Sequence, residues 1–273
     1  MTLNEEDVRQ LASELWEAER LSAPINPISG RYPDADLDDA YRIQLQGVQL
    51  RAAGGDVVRG HKVGLTARVM QEQFGVDRPD FGHLLASMFH PEGVPLPVDS
   101  LIAPRVEAEL AFVLDAPLKG PGVTVADVLA ATSFVLPALE IIDSRIQNWQ
   151  IGIVDTVADN ASSAKVILGG TRTSITDLDP RLIGVVLRRN GEIVETGASG
   201  AVLGNPVQAV AWLANTIASH GGELRPGDLI MPGTCTRAVH MQPGDTIRAD
   251  FEHLGHVGIS FSAAARSTQE EVA

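Results

Sequence analysis

The alternation of apolar and polar residues divides the chain into a helical beginning and a β-rich remainder. Residues 4–21 carry apolar side chains at helical spacing, with Asn4 as a candidate N-cap and acids in the first turn. Residues 37–53 predict a second helix, which ends at Gly54-Gly55. From about residue 57, short apolar runs alternate with Gly, Pro and Asp, a pattern typical of strands and tight turns.

Turn and cap residues predict individual elements in the β-rich part. Asn-Gly at 190–191 lies between two apolar runs and predicts a hairpin, because this pair suits the left-handed turn that matches strand twist. Pro-Gly-Asp turns at 226–228 and 243–245 each precede a strand-like run. Residues 205–222 predict a helix with Asn205 as N-cap, Pro206 in the first helical position and a Gly-Gly stop, and residues 125–131 predict a shorter one.

Together these elements predict an α+β fold rather than alternating βαβ units. We divide it into a small helical N-terminal portion over residues 1–57, a β-rich body over 58–265 and a frayed tail over 266–273.

Composition narrows the functional classes. The chain has 273 residues, of which 44% are apolar, so it is long enough to bury a substantial core. A net charge of -14 and an aromatic content of 4% argue against nucleic acid and anionic membranes as partners. A single cysteine, an acidic N-terminus unlike a signal peptide and the lack of a bilayer-length apolar segment predict a soluble, cytoplasmic protein.

The stretch PRVEAELAFVL, residues 104–114, places two carboxylates side by side. Read as a strand, it puts Glu107 and Glu109 on one face, about 6.5–7 Å apart at the backbone. A divalent cation between them would relieve the repulsion between like charges. On this stretch alone, the solvated end of a strand is the commoner explanation.

A third carboxylate, Glu140, favours the cation. It lies in the apolar segment 134–143, where a buried carboxylate must be paired, protonated or bound to metal. The alternatives are an exposed position or an ion pair with Arg145. Because no His or Cys cluster accompanies the three carboxylates, the set suits Mg²⁺ or Mn²⁺ and argues against Zn²⁺.

Two further segments contain candidate catalytic residues, but neither segment by itself indicates a function. Lys62, in GHKVGLT, is either a surface lysine with a buried stem or a partner for a substrate carboxylate or enolate oxygen. Asp80, in RPDFG, either serves only its turn or acts as a general acid/base. The polar run 155–163 is typical of a ligand-contacting loop and equally of an Asx-rich turn.

Several blocks of the sequence, taken in order, look like the 2-keto-4-pentenoate hydratase and 4-oxalocrotonate decarboxylase group of the fumarylacetoacetase superfamily. The resemblance covers about residues 3 to 262. The blocks that carry it are GHKVGLT (60–66), RPDFGHL (78–84), PRVEAELAFVL (104–114), VLPALEIIDSRIQNW (135–149), VDTVADNASSA (154–164), RRNGEIVETG (188–197) and VLGNPVQAVAWLAN (202–215).

The resemblance implies a fumarylacetoacetase-like fold with a Mg²⁺ or Mn²⁺ site. The group's metal carboxylates fall on Glu107, Glu109 and Glu140, and its catalytic residues on Lys62 and Asp80. The implied substrate contacts are Leu65, Asn160, Ser162, Lys165 and Thr234. Homo-oligomers are common in the group, and a complex with another enzyme of the same pathway is a further expectation.

The implied activity is metal-dependent addition of water to 2-hydroxypenta-2,4-dienoate, giving a 4-hydroxy-2-oxo acid in aromatic or steroid ring catabolism. Asp80 favours a hydratase over 4-oxalocrotonate decarboxylase. Water addition needs an acidic residue, whereas an acidic residue is unfavourable beside the dianionic substrate of the decarboxylase. Lys165 and Arg237 offer distal positive charge and keep diacid hydratases, such as one for 2-oxohept-3-enedioate, open. Two other classes are a C–C bond hydrolase, which would need His61 or His83 near the metal, and a non-catalytic partner subunit with a degraded site.

Overall fold

The computed structural model describes residues 3–262, so the tail assigned to 266–273 and the last residues of the body lie outside the described residues. The helices are α1 (Glu5–Leu21), α2 (Ile28–Arg31), α3 (Leu37–Ala53), α4 (Arg68–Phe74), α5 (Val125–Ala131), α6 (Ile153–Ala158) and α7 (Pro206–Ser219). The strands are β1 (Val58–Gly64), β2 (Asp80–Leu85), β3 (Leu96–Pro97), β4 (Arg105–Leu114), β5 (Thr132–Ile142), β6 (Ser163–Leu168), β7 (Gly184–Arg189), β8 (Glu192–Ala198), β9 (Leu229–Met231), β10 (Val239–His240), β11 (Thr246–Phe251) and β12 (Gly255–Ser262).

The capped helices begin where their polar residues satisfy free backbone N–H groups. The Asn4 side chain accepts hydrogen bonds from the N–H groups of Glu6 and Asp7 at the start of α1. Asp36 does the same for α3, and Asn205 for α7. The helices predicted over 4–21, 37–53, 125–131 and from Pro206 are therefore confirmed.

The predicted hairpin is also confirmed. Strands β7 and β8 are antiparallel neighbours joined at Asn190 and Gly191, whose φ angles are 54° and 86°. Positive φ at both central residues is what a tight hairpin turn with the strands' own twist requires. The strand β9 follows the first Pro-Gly-Asp turn directly, and β11 follows the second.

The larger of two sheets holds the centre of the molecule. Its seven strands run in the order β2-β1-β9-β4-β5-β6, with β10 paired to β4. After β2 the chain returns to the far edge, where Phe89 bridges to Val166 and the His90 N–H donates to the Val166 carbonyl at 2.9 Å. This bridge closes the sheet on itself as a barrel-like roll.

The inner face of this roll carries its own small apolar cluster. Its members come from strands all round the roll and are Leu84, Leu85, Met88, Ala111, Leu136, Ala138, Val166, Leu229 and Met231. Strand register places Glu107, Glu109 and Glu140 on the same face as Ala111 and Ala138, so the carboxylates lie at one end of the roll's interior.

The outer face of the roll packs into the main core. Alternate β4 residues such as Val106 and Leu110 join it, together with Leu11 of α1, Ile43 of α3 and Val210 of α7. The N-terminal helices thus share one core with the β-rich body, and the boundary expected near residue 57 falls between α3 and β1. The division into portions at that boundary stays a prediction. Within residues 3–262, no helix is long and apolar enough to cross a bilayer.

Candidate functional site

The two central strands bring the three carboxylates together. Glu107 of β4 lies directly opposite Glu140 of β5, and Glu109 follows two residues along on the same face. One carboxylate oxygen from each lies within 4.8 Å of the others. The sequence placed the two β4 residues side by side, and only the pairing of β4 with β5 adds the third.

Burial makes this cluster unfavourable without a positive partner. Glu109 is 1% exposed and Glu140 0%, while Glu107 is half-buried. Burial, and then the Glu140 carboxylate, raise the pKa of Glu107 to about 7. The same two causes raise the pKa of Glu109 well above its ordinary value. Like charges in a low-dielectric environment repel strongly, so protons or a cation must occupy the cluster.

The donor set fits a hard divalent cation. Neither side-chain oxygen of Glu140 has a hydrogen-bond partner among residues 3–262. One oxygen of Glu109 accepts a hydrogen bond from the Gly233 N–H at 3.0 Å, which orients that carboxylate. Three carboxylates without nitrogen or sulfur donors are the ligands that Mg²⁺ or Mn²⁺ prefers. Glu107, Glu109 and Glu140 would hold such an ion.

Lys62 faces this cluster from strand β1. Its Nζ lies 3.5 Å from a Glu140 oxygen, an electrostatic contact, and donates a hydrogen bond to the Ala161 carbonyl at 3.1 Å. Burial acts to lower the pKa of Lys62, but the surrounding carboxylates, Glu140 first, outweigh it and raise that pKa. Lys62 is 5% exposed, so it is a buried cation and not a surface lysine.

Asp80 reaches the same place because the strand opposite it has a glycine. Asp80 of β2 pairs with Gly64 of β1, and a Cβ at Gly64 would lie 2.1 Å from Asp80 Oδ1. That oxygen is buried and has no hydrogen-bond partner within residues 3–262. Burial raises the pKa of Asp80, Lys62 opposes the rise, and Glu140 adds to it. This carboxyl group therefore holds a proton more readily than an exposed aspartate does, as a group that transfers a proton must.

The loop over the site uses backbone groups where the sequence suggested side chains. Asn160, Ala161 and Ser162 have positive φ angles of 53°, 51° and 56°. The Asn160 amide accepts from the His83 N–H at 2.8 Å and donates to the His83 carbonyl at 2.9 Å. The Ser162 hydroxyl lies 3.4 Å from that of Thr156. These side chains fix the loop, and the group that meets Lys62 is the Ala161 carbonyl.

Arg145 holds this loop at both ends, a role that sequence reasoning missed. Its Nε and Nη2 donate to the side chain and carbonyl of Asp159, each at 2.5 Å. Its Nη1 donates to the Ser163 carbonyl at 3.0 Å. The suggestion that Arg145 pairs with Glu140 is therefore wrong, because Asp159 is its carboxylate partner. The DSR tripeptide after Glu140 was the available signal, but it did not reveal which acid the arginine would meet.

Leu65 and Thr234 lie next to the site on its connecting loops. Leu65 follows β1 with a φ of 54°. Thr234 forms a bridge with Glu109, and its hydroxyl donates to the Thr236 carbonyl at 2.8 Å. Their assignment as substrate contacts stays a prediction.

The structure does not bring the two side chains proposed for distal charge to the site. Lys165 pairs with Ile141, so it lies on the outer face of the roll, where its Nζ donates to the Ser87 carbonyl at 3.2 Å. The Arg237 side chain is 86% exposed and lies 3.0 Å from Glu195.

The histidines required by a hydrolase also face away from the carboxylates. His61 and His83 each lie next in sequence to an inward-facing position, and strand alternation directs both outward. Their rings contact each other with centroids 4.9 Å apart, and His83 Nδ1 lies 3.1 Å from the Gln44 amide oxygen. This arrangement does not supply the His/Glu pair of a C–C bond hydrolase.

Comparison with known proteins shows the family of the chain. The family model described as "Fumarylacetoacetate (FAA) hydrolase C-terminal" matches residues 63–260. The chain is 44% identical over 254 residues to a 2-keto-4-pentenoate hydratase of Paraburkholderia xenovorans (strain LB400), covering 93% of this chain and 94% of that one. It is 42% identical over 257 residues to a 2-oxo-hept-4-ene-1,7-dioate hydratase of Escherichia coli, covering 92% and 96%.

A solved structure shares the whole fold. The 4-oxalocrotonate decarboxylase from Pseudomonas putida G7, complexed with magnesium and adipate, matches with a TM-score of 0.93 at 40% identity, over 95% of this chain and 99% of that chain. The resemblance inferred from the sequence blocks is confirmed. The chain belongs to the fumarylacetoacetate hydrolase family, within the group of 2-keto-4-pentenoate hydratases and 4-oxalocrotonate decarboxylases.

Proposed function

We propose that the protein is a metal-dependent hydratase that adds water to a 2-hydroxy-2,4-dienoate and releases a 4-hydroxy-2-oxo acid. The observation that carries this proposal is the convergence of three carboxylates, Lys62 and Asp80 at one end of the roll's interior. Relatives at 42–44% identity are named as hydratases, which supports the same reaction type.

The site residues have two roles, which are to stabilise negative charge on the substrate and to transfer a proton. Glu107, Glu109 and Glu140 would hold a divalent cation, which when bound would supply the positive charge that stabilises an enolate. Lys62, on the same face, would donate a hydrogen bond to the C2 oxygen or the carboxylate of the substrate, since its Nζ already lies 3.5 Å from Glu140.

Asp80 would move the proton. Ketonisation of the dienol needs a proton at the carbon distant from the C2 oxygen, and the later addition of water needs a group that accepts one. Asp80 is buried, its pKa is raised by that burial, and no residue in 3–262 hydrogen-bonds its Oδ1. It can therefore give up a proton and take it back.

Decarboxylation of 4-oxalocrotonate is the second candidate function. The observation in its favour is the 0.93 TM-score match to a decarboxylase complexed with magnesium and adipate. Both reactions pass through the same type of dienolate, so the carboxylates and Lys62 would serve either.

A spectrophotometric assay separates the two reactions. The purified protein receives 2-hydroxypenta-2,4-dienoate or 4-oxalocrotonate, each with Mg²⁺ or Mn²⁺ and each with chelator. We expect metal-dependent loss of the dienoate absorbance without CO₂ release. Release of CO₂ from the dicarboxylate would replace the hydratase assignment, and loss without added metal would contradict the role of the carboxylates.

We further propose that the protein is a cytoplasmic homo-oligomer that takes part in aromatic or steroid ring catabolism. The buried, unpaired Cys235 supports a reducing compartment. Light scattering during size-exclusion chromatography tests the assembly, and a mass equal to one 29.0 kDa chain would contradict it. Co-purification with another enzyme of the pathway would test the expected complex.

A further inference from the structure

The outermost residue on the carboxylate-bearing face of β4 is an arginine. Arg105 precedes Glu107 by two positions, so the two residues share a face and lie about 6.5–7 Å apart at the backbone. Across the sheet, Arg105 pairs with His240 of β10, which places both residues at the rim of the roll. The protein as a whole has a net charge of -14, so positive charge at this rim is a local feature.

The Arg105 side chain is held in place but only partly satisfied. Its guanidinium carbon lies 4.0 Å from the centroid of the Trp149 ring, and the Trp149 indole N–H donates to the Ala103 carbonyl at 3.0 Å. The buried Nε of Arg105 has no hydrogen-bond partner among residues 3–262. Stacking on an aromatic ring fixes a guanidinium while leaving its N–H edges free for an anion.

Exposure within the site increases toward this arginine. Lys62, Asp80, Glu109 and Glu140 are each at most 5% exposed, and Glu107 is the half-buried member of the set. Glu107 is thus the member of the set nearest the rim, and the next side chain on its face is Arg105. A ligand that extends from the cluster toward the rim would meet Arg105.

We propose that Arg105 binds a second carboxylate at the far end of the substrate, so that the preferred substrate is a 2-hydroxydienoate with two carboxylates. A guanidinium with free N–H groups recognises a carboxylate through two parallel hydrogen bonds. Two other basic residues could have supplied this distal charge. Lys165 lies on the outer face of the roll, and Arg237 forms an ion pair with Glu195. This inference rests on the proposed function for its substrate class, and the binding measurement below does not require turnover.

The binding test compares adipate with hexanoate in the presence of Mg²⁺. The two acids have the same chain length, and only adipate carries a second carboxylate. Calorimetry on the intact protein should show adipate binding more tightly than hexanoate, and Arg105→Gln should abolish that preference by weakening adipate binding about 10- to 100-fold. Hexanoate affinity should change less than about threefold. Arg248→Gln, on β11 of the other sheet, is the matched control and should leave both affinities unchanged.

Kinetics extend the test to substrates. In Arg105→Gln, kcat/KM should fall for a dicarboxylate dienoate mainly through KM, and stay within about threefold for 2-hydroxypenta-2,4-dienoate. Arg105→Lys should recover part of the dicarboxylate affinity, because it restores charge without the paired N–H groups. Equal losses for both substrates, or no preference for adipate in the unmodified protein, would overturn the assignment of Arg105. Discrimination between adipate and hexanoate without turnover of any dienoate would instead overturn the proposed function and leave the subsite standing.

Discussion

At the scale of single residues, the chemistry depends on carboxyl groups placed where water cannot stabilise their charge. Glu140 shows this best, because it is 0% exposed, has no hydrogen-bond partner within residues 3–262 and lies 3.5 Å from the ammonium group of Lys62. Three clustered carboxylates facing the single ammonium group of Lys62 leave an excess of negative charge, which a bound cation would neutralise.

Replacing Glu140 with Gln should remove a ligand without removing volume. We expect affinity for Mg²⁺ or Mn²⁺ to fall by about 100-fold or more and turnover to fall to background. Thermal unfolding of the metal-free variant shows whether the lost repulsion from Glu107 or the lost contact with the buried Lys62 dominates its stability. Calorimetric metal titration and thermal unfolding measure both, with exposed Glu192→Gln as control. Retained metal affinity would refute the ligand assignment.

Asp80 should affect turnover and not metal binding. In Asp80→Asn we expect kcat to fall by about 10²- to 10⁴-fold, because an amide cannot take part in proton transfer. Metal affinity should stay within about twofold. The control is Asp77→Asn, whose side chain is 82% exposed. Full activity in Asp80→Asn would refute the proton-transfer role.

At the scale of elements, the site depends on strand register and on glycines at crowded positions. Strand β1 supplies both Lys62 and Gly64 on one face, and pairing with β2 brings Asp80 over the glycine. In the loop of residues 159–163, Arg145 hydrogen-bonds both ends and so holds the Ala161 carbonyl against Lys62. The two catalytic candidates are thus positioned by backbone geometry as much as by their own side chains.

Gly64→Ala should disturb the site from within a strand. The new Cβ would lie 2.1 Å from Asp80 Oδ1 and 3.4 Å from Lys62 Nζ, so the carboxyl group must move. We expect a loss of about 1–3 kcal/mol in the free energy of unfolding and a fall in kcat of about tenfold or more. In α3, a methyl group at Gly47 would meet nothing within 4 Å, so Gly47→Ala should keep full activity and unfold no more readily. Steady-state kinetics and denaturant unfolding test the pair, and unaltered kcat in Gly64→Ala would contradict the expected clash with Asp80.

At the scale of the whole molecule, one closed sheet serves two purposes. Its outer face packs into the main core with the N-terminal helices, and its inner face encloses a small apolar cluster next to the carboxylates. The energy of folding therefore holds the acidic cluster together, and ionisation of that cluster must act back on stability.

This coupling predicts how metal stabilisation varies with pH. The pKa of Glu107 is about 7 in the folded, metal-free protein, against an ordinary 4.5. Between these values the folded protein keeps a proton that the unfolded chain releases, so this group's contribution to stability is lost as pH rises. A cation displaces the proton, so the increase in Tm caused by Mn²⁺ over chelator should be small near about pH 5.5 and larger near about pH 8.

Thermal unfolding with Mn²⁺ and with chelator at several pH values measures this difference. The neutral, buried His61 and His83 also make stability depend on pH, because burial lowers their pKa values. Their effect is common to both conditions and cancels in the difference. A Tm increase that is constant across this range would contradict protonation of the cluster.

Hydrophobic periodicity and local turn chemistry predicted the helices α1, α3, α5 and α7 and the hairpin of β7 and β8, and the resemblance of seven sequence blocks indicated the family. Helix caps and the Asn-Gly turn act within a few residues of themselves, so Asn4 and Asn190 could be assigned without knowing the fold. Strand alternation likewise predicts that the side chains of Glu107 and Glu109 share one face. Only the tertiary structure decided which groups from distant segments meet: Glu140 opposite Glu107, Asp80 over Gly64, and Arg145 with Asp159 instead of Glu140. It also placed Lys165 on the outer face of the roll and Arg105 on the carboxylate-bearing face, because the facing of a side chain is set by strand register and closure of the sheet, and these depend on pairings that no single segment contains.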